Sequence, residues 1–145
     1  IADVNRAKRE LERLKRIAKA EGVWEDVRFR DEIAKLEIDI VALEMLVLRV
    51  LSAETSGKQS LDIAGLLKIR GSEIQQRYSE LMMLAAGPFS LPFVHEAMDA
   101  GWQGDHVGAA HCAPLASTYF NMRKTTIYGG SNEVQRNIVA RTVLG

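Results

Sequence analysis

The stretch Phe29-Arg30-Asp31-Glu32-Ile33-Ala34-Lys35-Leu36-Glu37-Ile38-Asp39-Ile40-Val41-Ala42-Leu43-Glu44-Met45-Leu46-Val47-Leu48-Arg49-Val50-Leu51 decides the fold. Phe29, Ile33, Leu36, Ile40, Leu43, Val47 and Val50 recur at spacings of four and three. That period puts them on one face of a long helix, in a bundle-like seam. The spacing predicts a helix over residues 25–55. From Ile40 onward the other faces are apolar too, with Val41, Met45, Leu46 and Leu48. A helix apolar nearly all round is expected at the centre of a bundle, packed on several sides. Glu37, Asp39, Glu44 and Arg49 interrupt the apolar run and exclude a membrane span.

The flanks repeat this period. Val4, Leu11, Leu14, Ile17 and Ala18 predict a helix over residues 1–20, closed by Glu21-Gly22. Its basic residues read as a solvated face with pairs such as Glu12–Arg16 and Glu10–Arg13. No aromatic residue is interleaved to stack on bases, so nucleic acid is not expected. After a loop capped by Gly57, a second long helix spans 60–86, started by Ser60 or Asp62. Ile63, Leu67, Ile74, Tyr78, Leu81 and Ala85 mark its buried stripe, and Gly87-Pro88 stops it. A short loop makes the two long helices antiparallel neighbours.

Residues 88–105 are broken by Pro88, Pro92, Gly101 and Gly104, with a helical turn possible at 95–100 and Trp102 as an anchor. Helix returns over 106–125, where Tyr119, Phe120 and Met122 face a core. A last helix, 131–143, buries Val134, Ile138 and Val143. No stretch alternates with period two, so no strand is expected. The reading is all-α: an antiparallel four-helix bundle with an extra short C-terminal helix, one domain over 1–145.

Composition agrees. Hydrophobic residues make up 47% of 145, enough for a packed core, and formal net charge is zero. Nothing global draws such a chain to nucleic acid or to an anionic membrane. One cysteine, Cys112, cannot form an internal disulfide, which points to a reducing, cytoplasmic setting. The chain opens with Ile in mid-helix sequence, as expected of a piece of a longer protein.

Chemistry concentrates at Thr126-Ile127-Tyr128-Gly129-Gly130-Ser131-Asn132-Glu133. Two adjacent glycines allow unusual backbone angles and close approach of a flat ligand. Ser131 is a good N-cap, and free N–H groups at a helix start suit an anion. His106, His111 and Cys112 cluster in sequence, but no second cysteine or carboxylate stands at ligand spacing, so no metal is expected.

The segment Tyr128-Gly129-Gly130-Ser131-Asn132-Glu133-Val134-Gln135-Arg136-Asn137-Ile138-Val139-Ala140 resembles the C-terminal signature of the acyl-CoA dehydrogenase family. So do residues 119–127 and the segment Leu67-Lys68-Ile69-Arg70-Gly71-Ser72-Glu73-Ile74-Gln75-Gln76-Arg77. The resemblance runs over roughly residues 25–145. It implies the C-terminal helical bundle of an enzyme that also has an N-terminal helical domain and a middle β domain. Such enzymes bind FAD and oxidise acyl-CoA thioesters to trans-2-enoyl-CoA. They pass electrons to an electron-transfer flavoprotein and assemble as dimers or tetramers through this bundle.

Carried to this sequence, the resemblance makes Tyr128 and Gly129 substrate-lining and Gly130, Ser131, Asn132 and Glu133 cofactor-binding. Ser131 stands where the family has a Thr that touches the flavin. Glu133 stands where many members have a Gln near the FAD diphosphate. Gly129 stands where many members carry the Glu that is the catalytic base, and glycine accepts no proton. No catalytic residue is therefore expected within 1–145; some members place the base on a helix preceding this chain. The family's Arg-x-x-Phe-Gly element is not present around Arg28-Phe29-Arg30, and Met83 replaces the usual Gln before the Gly-Gly turn. The alternative reading is a non-catalytic subunit or domain that builds a heteromeric acyl-CoA dehydrogenase complex.

Overall fold

A computed structural model describes residues 3–55 and 61–144, with side chains from 64 onward in the second segment and all but residue 54 in the first. Helix α1 spans Val4–Ala20, α2 Val27–Thr55, α3 Leu61–Ala86, α4 Leu115–Met122 and α5 Asn132–Leu144. Short 3-10 turns fill parts of the connections, and no strand occurs among the described residues. The chain is all-α, as its periodicity predicts. The expected caps Gly57 and Ser60 lie outside the described residues, as do the side chains of Asp62 and Ile63.

Helix α1 starts where the Asp3 carboxylate accepts the Arg6 N–H at 2.8 Å. It stops because Gly22 takes φ +76°, a left-handed angle suited to glycine. Its stripe of Ala7, Leu11, Leu14, Ile17 and Ala18 is buried. Ile33, Leu36, Ile40 and Leu43 of α2 meet that stripe, together with Ile74, Tyr78 and Leu81 of α3. Ion pairs mark the helix edges. Lys8–Glu44 (2.6 Å) and Lys15–Glu37 (3.2 Å) join α1 to α2, and Arg70–Asp39 (2.5 Å) and Arg77–Glu32 join α2 to α3. Pairs that reach solvent in this way add little to stability. Within α1, Glu10 pairs with Arg13, whereas Glu12 reaches Lys15.

The centre of the bundle is α3, not α2. It touches α1, α2, α4 and α5. Small residues let its neighbours in: a Cβ added at Gly65 would lie 2.9 Å from Val139 Cγ2 of α5. Of the further apolar residues of α2 expected to be packed, Leu46 lies against the core, whereas Val41, Met45 and Leu48 are about half exposed, and Ile38 beside them is 68% exposed. Among the described residues nothing covers this face fully.

The C-terminal third also differs from its sequence reading. Residues 106–109 are not helical, and α4 starts only at Leu115, because Gly108 takes φ +74° and Pro114 serves as N-cap. Phe120 is exposed while Met122 is buried, since α4 presents only one face to α3. In α5, Val134, Ile138 and Val143 are exposed rather than buried, and Asn132 is its buried residue. The connector between α3 and α4 is pinned by hydroxyls: Ser90 donates to Gly87 O (2.7 Å) and Ser117 to Val94 O (2.8 Å). The expected turn forms at His95–Met98, and Trp102 packs over Gly104.

Candidate functional site

The segment leading into the Gly-Gly turn is held against α3 by two polar residues from opposite sides. Gln76 of α3 directs its amide N–H groups at Met122 O (3.3 Å), Arg123 O (3.2 Å) and Thr126 Oγ1 (3.2 Å). In return Arg123 donates to Gln76 O (3.0 Å) and Ser79 Oγ (3.3 Å), with its guanidinium 4.2 Å from the Tyr119 ring centroid. Buried or half-buried carbonyls at the end of α4 need donors, and this exchange provides them. The 3-10 turn Arg123–Thr126 then delivers Tyr128 to the edge of α3.

Gly129 and Gly130 have φ +70° and +86°. No heavy atom lies within 4 Å of a Cβ built on Gly129, so that side of the turn is open. The Gly130 side is occupied by Gln135, which also donates to Gly129 O at 3.4 Å. Ser131 caps α5, its hydroxyl oxygen 3.4 Å from the Val134 N–H. Glu133 folds onto the same helix start. Its own backbone N–H and then the Ser131 hydroxyl hold its carboxyl below the ordinary value, with Arg136 and Lys68 adding positive potential.

Asn132 points inward. Its side-chain oxygen accepts from Lys68 Nζ (2.8 Å), and its amide donates to Ser72 Oγ (3.1 Å), which itself donates to Ile69 O (2.8 Å). Beside it, Arg136 pairs with Glu73 at 2.8 Å. These contacts fix the turn over α3 and leave a cleft of about 280 Å³ lined by Ala64, Leu67, Lys68, Gly71, Ser72, Gln75, Thr125 and Tyr128. None of those lining residues is a carboxylate.

Six residues proposed from sequence thus fall in one place, with different roles. Tyr128 stands at the mouth of the cleft, Gly129 and Gly130 form the turn, Ser131 and Glu133 cap α5, and Asn132 is buried under it. Lys68, Ser72, Gln76 and Arg123 were not read as site residues. One signal was present: Lys68 stands between the apolar residues Leu67 and Ile69 of α3, and a half-buried lysine needs a partner. The histidines disperse. His106 Nδ1 contacts Gly108 O at 3.1 Å, while His111 and Cys112 both meet Glu21, ninety residues upstream.

With this geometry in place, one family model covers nearly the whole chain. The model for "Acyl-CoA dehydrogenase, C-terminal domain" matches residues 2–144, which takes in α1 as well as the region that carries the resemblance. Acyl-CoA dehydrogenase IpdE1 of Mycolicibacterium smegmatis is 28% identical over 137 residues, covering 94% of this chain and 30% of that protein. Among solved structures, the Tcur3481-Tcur3483 steroid ACAD superposes with a TM-score of 0.74 at 22% identity, over 98% of this chain and 34% of that one. An FAD complex of PigA gives 0.71 at 19% identity, over 97% and 33%. These two likenesses are of fold. The chain spans about a third of the length of the proteins it matches.

Proposed function

This chain belongs to the acyl-CoA dehydrogenase family as its C-terminal domain, and from that premise we propose that it is the helical-bundle part of a flavin-dependent enzyme that dehydrogenates an acyl-CoA thioester between Cα and Cβ. One observation supports the assignment of roles: the cleft beneath the Gly-Gly turn is lined without a carboxylate, in keeping with the resemblance, which puts Gly129 at the position of the Glu base. The α-proton is then taken by a residue outside these 145. When bound, FAD supplies the acceptor for the β-hydride.

The turn fits a flat ring system. The open space beside Gly129 lets a planar group approach the main chain, which a side chain there would obstruct. Tyr128 and Gly129 bound the substrate side; Gly130 and Ser131 bound the cofactor side. Asn132 acts as a positioning residue through Lys68 and Ser72. Glu133 is ionised at neutral pH, so a diphosphate near it needs a compensating cation, and Arg136 and Lys68 are the cations whose charge already reaches it. Electrons leave for an electron-transfer flavoprotein, and the bundle joins sister subunits as a dimer or tetramer in a cytoplasmic setting. No described helix is long and apolar enough to cross a membrane.

A second reading is favoured by the same acid-free cleft together with the open apolar face of α2. In it the chain belongs to a non-catalytic subunit that builds a heteromeric acyl-CoA dehydrogenase. Anaerobic titration of the full-length protein with a panel of acyl-CoA thioesters separates the two. The catalytic reading expects a yellow protein whose flavin bleaches on its own. Bleaching only after addition of a partner subunit supports the second, and a colourless protein that never bleaches with any partner excludes both.

A further inference from the structure

Three donor groups from distant segments meet at the end of α1. Glu21 is the C-cap of α1, and His111 and Cys112 lie in the 3-10 turn that precedes α4. His111 Nε2 is 2.6 Å from Glu21 Oε1, and Cys112 Sγ is 3.8 Å from the same oxygen. One ligand atom from each residue falls within 4.8 Å of the others. Glu21 and His111 reach solvent at the edge of the cluster, while Cys112 closes its core side.

The cluster is short of positive charge. A carboxylate at the C-terminus of a 17-residue helix sits at the negative end of its dipole. Cys112 is buried, and its thiol lies against that carboxylate. A dication offsets the unfavourable position of that carboxylate. Thiolate, imidazole and carboxylate together form a donor set suited to zinc, at bond lengths of about 2.0–2.3 Å. Tetrahedral bonds of that length separate ligand atoms by roughly 3.3–3.7 Å. The thiol is already near that distance from Glu21, at 3.8 Å, and the imidazole, at 2.6 Å, has to draw back from Glu21 by less than about 1 Å.

We propose that Glu21, His111 and Cys112 form a Zn²⁺ site, with water in the fourth position, that clamps the end of α1 to the segment leading into α4. Binding forms an S–Zn bond, breaks the S–H bond of Cys112 and releases that proton to solvent, with no change of oxidation state. The occupied clamp fixes a connector that is otherwise held by hydroxyl hydrogen bonds.

The test uses the full-length protein, stripped with a chelator and titrated with Co²⁺ and, separately, Zn²⁺. The expected results are a near-ultraviolet thiolate-to-cobalt charge-transfer band, its displacement by Zn²⁺, and one more equivalent of bound metal than in Cys112→Ala. Glu21→Gln, which keeps the hydrogen bonds at a partly exposed position, should weaken binding by at least about tenfold. Equal metal content in wild type and Cys112→Ala, or no charge-transfer band, overturns the site and leaves a plain hydrogen-bonded cluster. If Cys112→Ala fails to fold, unchanged affinity in Glu21→Gln does the same. None of these readouts depends on flavin.

Discussion

Gly129 shows how one residue can be required by its backbone alone. Its φ is +70°, yet a Cβ there would touch nothing within 4 Å. Gly129→Ala should therefore lower stability by about 1–2 kcal/mol through backbone strain without any clash. Urea denaturation checks this, and a midpoint equal to wild type would show that the turn relaxes freely. Gly130 differs, because its Cβ would also meet Gln135 Nε2 at 2.5 Å. The glycine pair was legible in the sequence, since its freedom of φ is a property of the residue itself. Asn132 was not. An Asn at a helix start reads as a cap or a ligand contact, and only the fold brings Lys68 and Ser72 to it.

At the scale of an element, α5 is defined by how it starts. Glu133 and Ser131 close its first turn, and the carboxyl of Glu133 lies below its ordinary value of 4.5. A carboxyl depressed in the native state adds stability above its unfolded value, and that stability is lost as pH falls through the lower native value. Glu133→Gln should flatten the acid limb of the stability curve below about pH 4.5. Thermal midpoints of both proteins across that range provide the measurement; superimposable acid limbs would remove Glu133 from the cap. The apolar stripe of α5 was legible as a stripe, but its expected burial was not met: Val134 and Ile138 are about half exposed. Periodicity marks a face meant to be covered, and it does not name the cover.

The same logic scales to the molecule. Ile38, Val41, Met45 and Leu48 of α2 form an open face on a helix whose opposite side is core. Surface of this kind favours association. The isolated chain should self-associate at high concentration, and Val41→Ser, Met45→Ser and Leu48→Ser combined should shift it toward monomer. Each change should cost no more than about 0.5 kcal/mol of bundle stability. Light scattering that finds wild type monomeric at every concentration would reject this. The composition of α2 points to the centre of the bundle, but α3 holds that position because its small residues admit α5 closely and its polar ones anchor α4.

The amino-acid sequence by itself determined the all-α class, the three long helices within a few residues, the glycine turn and the family. Each of these is local: a period of 3.6, a cap, a breaker or a contiguous motif is written in neighbouring residues. Only the tertiary structure decided which helix is central, which apolar faces stay open, and that Glu21 joins His111 and Cys112. Those are pairings between segments up to ninety residues apart, set by which surfaces fit and which polar groups find partners once the core has closed.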